Sequence, residues 1–104
     1  MPIARRGEVW QVDLGLAAKV RPAVILNIPF QDHERAVYTV VPHTTAIRGT
    51  RFEVELEVGG LEHGAFDAQG IRNIPGTVLI RKRVALTPEQ MAAIEQAVKL
   101  WLGL

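Results

Sequence analysis

The chain contains no cysteine. That excludes a disulfide framework, a thiolate nucleophile and a cysteine-rich zinc site, and it fits a reducing compartment. No apolar run approaches the length of a membrane span. The opening residues, MPIARRGEVW, carry basic side chains but no apolar stretch of signal-peptide length behind them. A cytoplasmic protein that does not engage a membrane is therefore expected. Net charge is nearly absent too: 12 basic residues against 11 acidic ones leave +1, so bulk charge does not hold this chain to nucleic acid. The three histidines, His33, His43 and His63, form no HxxH, HxxxH or HExxH pair, and there is no GxSxG or Walker glycine pattern. Neither a metal nor a cofactor is expected.

What the sequence does have is apolar content. Hydrophobic residues make up 48% of 104, enough for a core and for one domain spanning residues 1–104. A domain this small buries a modest share of its surface, and a homodimer relieves that shortage. Charge is local rather than global. Arg5 and Arg6, Lys19 and Arg21, Arg48 and Arg51, and Arg81 to Arg83 are basic clusters, while Glu53, Glu55 and Glu57 form an acidic edge. Such clusters can hold a short polyanion, although a mixed solvated surface has the same composition.

Periodicity predicts strands at Glu8 to Leu14, Pro22 to Leu26, Val37 to Val41 and Phe52 to Val58, with a last short strand at Thr77 to Ile80. The first alternates, with Trp10, Val12 and Leu14 on one face. The second is a continuous apolar run, as in a strand buried on both faces. Residues 61 to 76 hold Gly, Pro and Asn and read as the least regular part. Thr87-Pro88-Glu89-Gln90 combines an N-cap, a first-turn proline and a capping-box Gln. Met91, Ile94, Val98 and Trp101 then repeat at helical spacing, all as core, and Gly103 stops the helix. The expected fold class is mainly β with a C-terminal helix (α+β): a strongly bent antiparallel sheet or partly open small barrel, with the helix packed on it.

Four pieces recur in order and at short spacing: RGEVWQVDL (Arg6 to Leu14), RPAVI (Arg21 to Ile25), VVPHTT (Val40 to Thr45) followed by FEVEL, and a Gln- and Arg-containing loop. This combination resembles the MazF/PemK/Kid toxins of bacterial toxin–antitoxin pairs, over nearly the whole chain from about Arg6 onward. The resemblance implies an SH3-like small barrel, a homodimer, and sequence-specific cleavage of single-stranded RNA (mRNA) without a metal. The ribose 2′-OH attacks its own phosphate, leaving a 2′,3′-cyclic phosphate and a 5′-OH. A cognate antitoxin protein neutralises such toxins, generally with a disordered acidic tail that folds onto the RNA surface.

By that resemblance the catalytic positions are Arg21, before the proline of the second strand, and Thr44, after V-x-P-x. The residue types suit the reaction. A guanidinium fork can hold two oxygens of a phosphate that gains charge in the transition state, and its high pKa makes electrostatic stabilisation its first role. A threonine hydroxyl can fix in-line geometry but is not a base at neutral pH. His43 titrates near neutrality and is a secondary candidate, although regular strand alternation puts it on the face opposite Thr44. Thr45 takes over from Thr44 if the register shifts by one.

FDAQGIRNIP, Phe66 to Pro75, matches the family's D-Q-x-R-[TS] loop imperfectly. Aligned on Arg72, it puts Gln69 where the Asp usually stands; aligned on Gln69, it needs an extra residue before Arg72. Asp67 is thus a further catalytic candidate. Lys19, Arg48, Arg51, Gln69 and Arg72 are the expected RNA-binding residues. Many members also carry P-x-x-G-x-E in a long loop after the first strand, which here is only GLAAKV, Gly15 to Val20. The same fold serves CcdB-like gyrase-poisoning toxins, and a non-catalytic SH3-like binding module is a third reading.

Overall fold

The alternation of Glu8 to Leu14 forms a strand, β1 (Glu8–Asp13), which opens the element order. The structure, a computed structural model, describes residues 3–15 and 19–104. Six further strands follow: β2 (Val20–Ile25), β3 (Val37–Thr44), β4 (Glu53–Leu56), β5 (Gly64–Asp67), β6 (Arg72–Pro75) and β7 (Leu79–Ala85). One helix, α1 (Pro88–Leu102), closes the order. All the strand pairings are antiparallel. The path runs β4-β5-β3-β2-β1-β7, with β6 added on β3, and the sheet does not close. It is a bent sheet in which β4, β6 and β7 each pair on one side only among the described residues, the partly open form of the expected barrel.

The bend lies in β3. Its first half pairs with β6, from Val37 opposite Pro75 to Val40 opposite Arg72. Its end pairs with β5, His43 opposite Phe66 and Thr44 opposite Ala65. Pro42 sits between the two partners. A proline has no N–H for a ladder, so it is tolerated in this central strand at the place where the partner changes. A single 3-10 turn, Ala68–Gly70, carries the chain from β5 to β6 across that gap. Gly70 lies on the Pro42 ring there: a Cβ at Gly70 would come within 2.6 Å of Pro42 Cγ.

Each face of the sheet has its own core. Trp10, Val12, Ala23, Ile25, Tyr38 and Val40 pack on one face. Val9, Val24, Val41 and Phe66 pack on the other, under Met91, Ile94 and Val98 of α1. This is why β2 reads as a continuous apolar run: successive residues serve opposite cores. The helix begins as its sequence predicts. Thr87 accepts from Gln90 N, the Gln90 side chain accepts from Thr87 N, and Gly103 ends the helix in the left-handed region. Arg6 ties the N-terminal segment down by donating to Leu26 O and pairing with Glu95 of α1.

Several expectations shift. β3 extends through Thr44, and β4 is confined to Glu53–Leu56. Residues 61 to 76 hold two strands; β5 is short and buried throughout its first three residues, while β6 buries only Ile74, so neither alternates visibly. β7 starts at Leu79, after a 3-10 turn at Gly76–Val78, and continues through the basic run to Ala85. Two register shifts against β1 break its alternation. Trp101 is not core: it is 42% exposed and stands edge-on to Phe52, with ring centroids 5.2 Å apart. Among the described residues no helix is long and apolar enough to cross a membrane.

Candidate active site

β2 and β3 are in register with Ala23 opposite Pro42, Val24 opposite Val41 and Ile25 opposite Val40. Continued to the strand ends, that antiparallel register sets Arg21 opposite Thr44. Both side chains line one cavity of about 230 Å³, together with Arg48, Asp67 and Arg72. Alternation along β2 and β3 places Arg21 and Thr44 on the face of Ala23 and Ile25, beyond the end of that core. Three guanidinium groups and one carboxylate thus converge where apolar packing stops. The balance is cationic, which suits a phosphate.

Local bonds hold each group. Thr44 Oγ1 accepts from Ala46 N at 3.1 Å, which leaves the hydroxyl proton free to be donated into the cavity. Asp67 caps the 3-10 turn, its Oδ1 accepting from Gln69 N at 3.1 Å. Arg72 Nε donates to Gly70 O at 3.3 Å. Arg48 rides on a loop gathered by Glu53, whose Oε1 accepts from the backbone N–H of Arg48 at 2.9 Å and of Gly49 at 2.7 Å. Glu53 is therefore not part of an acidic solvent edge; it turns back to order the loop. Its spacing from Thr50, the T-x-x-E signature of a cap, is the signal that marks it.

Of the remaining candidates, His43 also lines this cavity, and the others lie elsewhere. His43 is 4% exposed and stands edge-on to Phe66, with centroids 5.1 Å apart. Burial holds its imidazole below the ordinary histidine value; the Glu62 carboxylate opposes this and Arg83 adds to it. His63 acts in the same direction as Arg83, and the two larger charge effects come from Glu62 and Arg83. Glu62 and Arg83 belong to a second cavity, of about 360 Å³, which His43, Thr45 and Lys19 also line. Arg21 and His43 border both cavities. Arg51 is remote from both, with its guanidinium 4.7 Å from the Phe52 ring centroid beside α1. Gln69 is exposed on the turn next to Asp67. Of the shortened loop, residues 16–18 fall outside the described residues.

Sequence reasoning missed Gln11, Glu62 and Arg83, which share the second cavity. They come from three separate elements, and no motif spacing joins them.

Known proteins share this fold. A family model for the PemK-like, MazF-like toxin of type II toxin–antitoxin systems matches residues 5–102. The chain is 35% identical to Endoribonuclease MazF9 of Mycobacterium tuberculosis, covering 96% of this chain and 97% of that protein. Its structure superposes with a TM-score of 0.84 on an endoribonuclease in complex with its cognate antitoxin from a mycobacterial species, at 25% identity, over 98% of this chain and 97% of that one. The Mycobacterium tuberculosis toxin MazF-mt6 gives a TM-score of 0.79 at 27% identity, over 93% and 97%. The overall fold is thus shared, and the chain belongs to the family of PemK-like, MazF-like toxins of type II toxin–antitoxin systems.

Proposed function

We propose that this toxin is a sequence-specific endoribonuclease that cuts single-stranded mRNA in the cytoplasm, with Arg21 and Thr44 as its catalytic pair. The observation that carries the assignment is the one cavity that both residues line. The scissile phosphate sits between them. The 2′-OH of the preceding ribose attacks the phosphorus, and the bond to the 5′-oxygen of the next nucleotide breaks. The products are a 2′,3′-cyclic phosphate and a 5′-OH. The proton lost by the 2′-OH is balanced by the proton gained by the leaving 5′-oxygen.

Arg21 holds the non-bridging oxygens as their charge grows, and Arg48 and Arg72 neutralise neighbouring phosphates. Thr44 donates its hydroxyl proton to a phosphate oxygen and fixes the line of attack. Asp67 is the carboxylate that shares the cavity and the acceptor for the 2′-OH proton. His43 also lines this cavity and stays the secondary candidate for that proton. A cognate antitoxin neutralises the toxin by occupying the same cationic cavity. The toxin works as a homodimer, and exposed Leu100 and Leu104 at the end of α1 supply apolar surface for a second copy.

The gyrase-poisoning reading leans on Trp101, whose contact with Phe52 gives it a packing role. A non-catalytic binding module gives no reason for the convergence of Arg21, Thr44 and Asp67.

The test is cleavage of a long single-stranded RNA in EDTA with end mapping. Wild type is expected to make discrete cuts with cyclic-phosphate and 5′-OH ends, and Arg21→Ala to lose about 10²- to 10³-fold in rate while keeping its fold. Undiminished cutting by folded Arg21→Ala would sink the site assignment.

A further inference from the structure

The second cavity does not include Thr44 and shares Arg21 and His43 with the first. At about 360 Å³ it is the size of a small-ligand site. Two features show that its polar groups are placed rather than incidental. The first is Arg83. The β1/β7 ladder pairs Val9 with Val84 and Trp10 with Lys82, so Arg83 is the extra residue of a β-bulge. Bulges re-aim side chains, and here the guanidinium is locked by donation to Gln11 Oε1 at 2.5 Å and to Gly60 O at 2.9 Å. The second is His43, a nearly fully buried imidazole that lines the same cavity.

The lining mixes three kinds of surface. Val20, Pro22 and Leu61 are apolar and suit the faces of a planar ring. Lys19, Arg21 and Arg83 are cationic and suit a ribose phosphate. Glu62, Gln11 and Thr45 bring acceptors and donors for an edge. Because the Gln11 oxygen is occupied by Arg83, its amide N–H groups are the ones left to donate. The Glu62 carboxylate accepts only, and so favours a base that bears an exocyclic amine over uracil. The same carboxylate repels an acidic peptide, which argues against this cavity as the seat of an acidic antitoxin segment.

We infer that the cavity formed by Gln11, Glu62, Arg83, Thr45 and His43 is a base-specificity pocket, which takes an amino-bearing nucleobase of the RNA strand next to the phosphate held at Arg21 and Thr44. This rests on the endoribonuclease reading above and adds to it the residues that choose where the strand is cut. Arg21, bordering both cavities, couples the chosen base to the reacting phosphate.

The experiment maps cuts on a random-sequence RNA pool with wild type, Glu62→Gln and Gln11→Leu. Glu62 is exposed, so its replacement leaves the core untouched. Wild type is expected to favour adenine, cytosine or guanine over uracil at one position adjoining the cut. That preference is expected to fall about tenfold in Glu62→Gln, with the other positions unchanged. Cutting by wild type with the same preferences in both variants overturns the pocket and leaves the nuclease reading standing. No cutting by wild type overturns both. A second readout does not depend on the variants: the side-chain amide resonances of Gln11, which lines only the second cavity, should shift when an RNA oligonucleotide blocked by a 2′-deoxy sugar at the cut site is added. Resonances that stay fixed with RNA but move with an acidic peptide would assign the cavity to a protein partner instead.

Discussion

The two ends of β3 share a strand but differ in almost every physical respect. From Val37 to Val41 it is paired throughout, with β6 over Val37 to Val40 and with β2 at Val40 and Val41, and its side chains alternate between two apolar cores: Tyr38 and Val40 on one face, Val41 on the other. From Pro42 to Thr44 it changes partner from β6 to β5, and its residues border two polar cavities. The closed end gains stability by excluding water. At the open end, strand pairing still fixes the backbone but apolar packing no longer fills the faces. Charged side chains can gather there without being desolvated to the cost of a buried ion. Rigidity for the chemistry is thus supplied by one half of the strand and room for it by the other.

The closed end should respond in stability. Ile25, fully buried and opposite Val40, is the place to test it. Ile25→Ala is expected to lower the unfolding free energy by about 2–5 kcal/mol in urea denaturation, while the cut positions of the folded protein stay as in wild type. A changed cleavage pattern at a temperature where the variant is folded would erase the division between the two ends.

At the junction the two properties should fail together. A Cβ at Gly64 would lie 2.3 Å from Thr44 O and 2.6 Å from His43 Cε1. Gly64→Ala must therefore push β5 off the end of β3, and should cost about 1–3 kcal/mol of stability as well as cleavage rate. Loss of stability with full activity would mean that Thr44 does not depend on its pairing with β5.

The smallest effect concerns protons. Burial keeps the folded His43 imidazole below its ordinary value of 6.5, so as the pH falls the unfolded chain takes up its proton first. That contribution to stability is complete above the unfolded value and is lost as pH drops through the folded one. The denaturation midpoint should start to fall below about pH 6.5, with a shallower slope in His43→Gln. Glu8, also held low despite its burial by bonds from Trp10, Arg5 and Lys82, adds its own loss further into acid, below its ordinary 4.5. Equal slopes in wild type and His43→Gln would show that the imidazole is solvated when folded.

Much of the fold was legible because local rules and packing agreed. The helix start at Thr87 needed only its own capping residues, and β1 and β2 carried clear apolar patterns. β5, β6 and most of β7 were not legible, since a strand with one buried residue, or one broken by bulges, has no period to read. At the site, Arg21 and Thr44 were visible only through resemblance to a family. Lys19 and Arg51 were selected by charge, and the fold turned both away from the Thr44 cavity. Glu53 looked like a solvent-facing acid and instead holds the loop that carries Arg48.

The sequence by itself determined the elements whose information is local: the caps of α1, the alternating and continuous apolar strands, and the proline that lets β3 change partner. Only the tertiary structure decided which charges meet. Arg21, Thr44, Arg48, Asp67 and Arg72 are spread over 52 positions, from Arg21 to Arg72, and converge because strand register brings their ends together. The assembly of Gln11, Glu62 and Arg83 beside His43 depends on a single bulged residue in β7. Periodicity records which face a residue serves, but the register between distant strands decides what stands across from it.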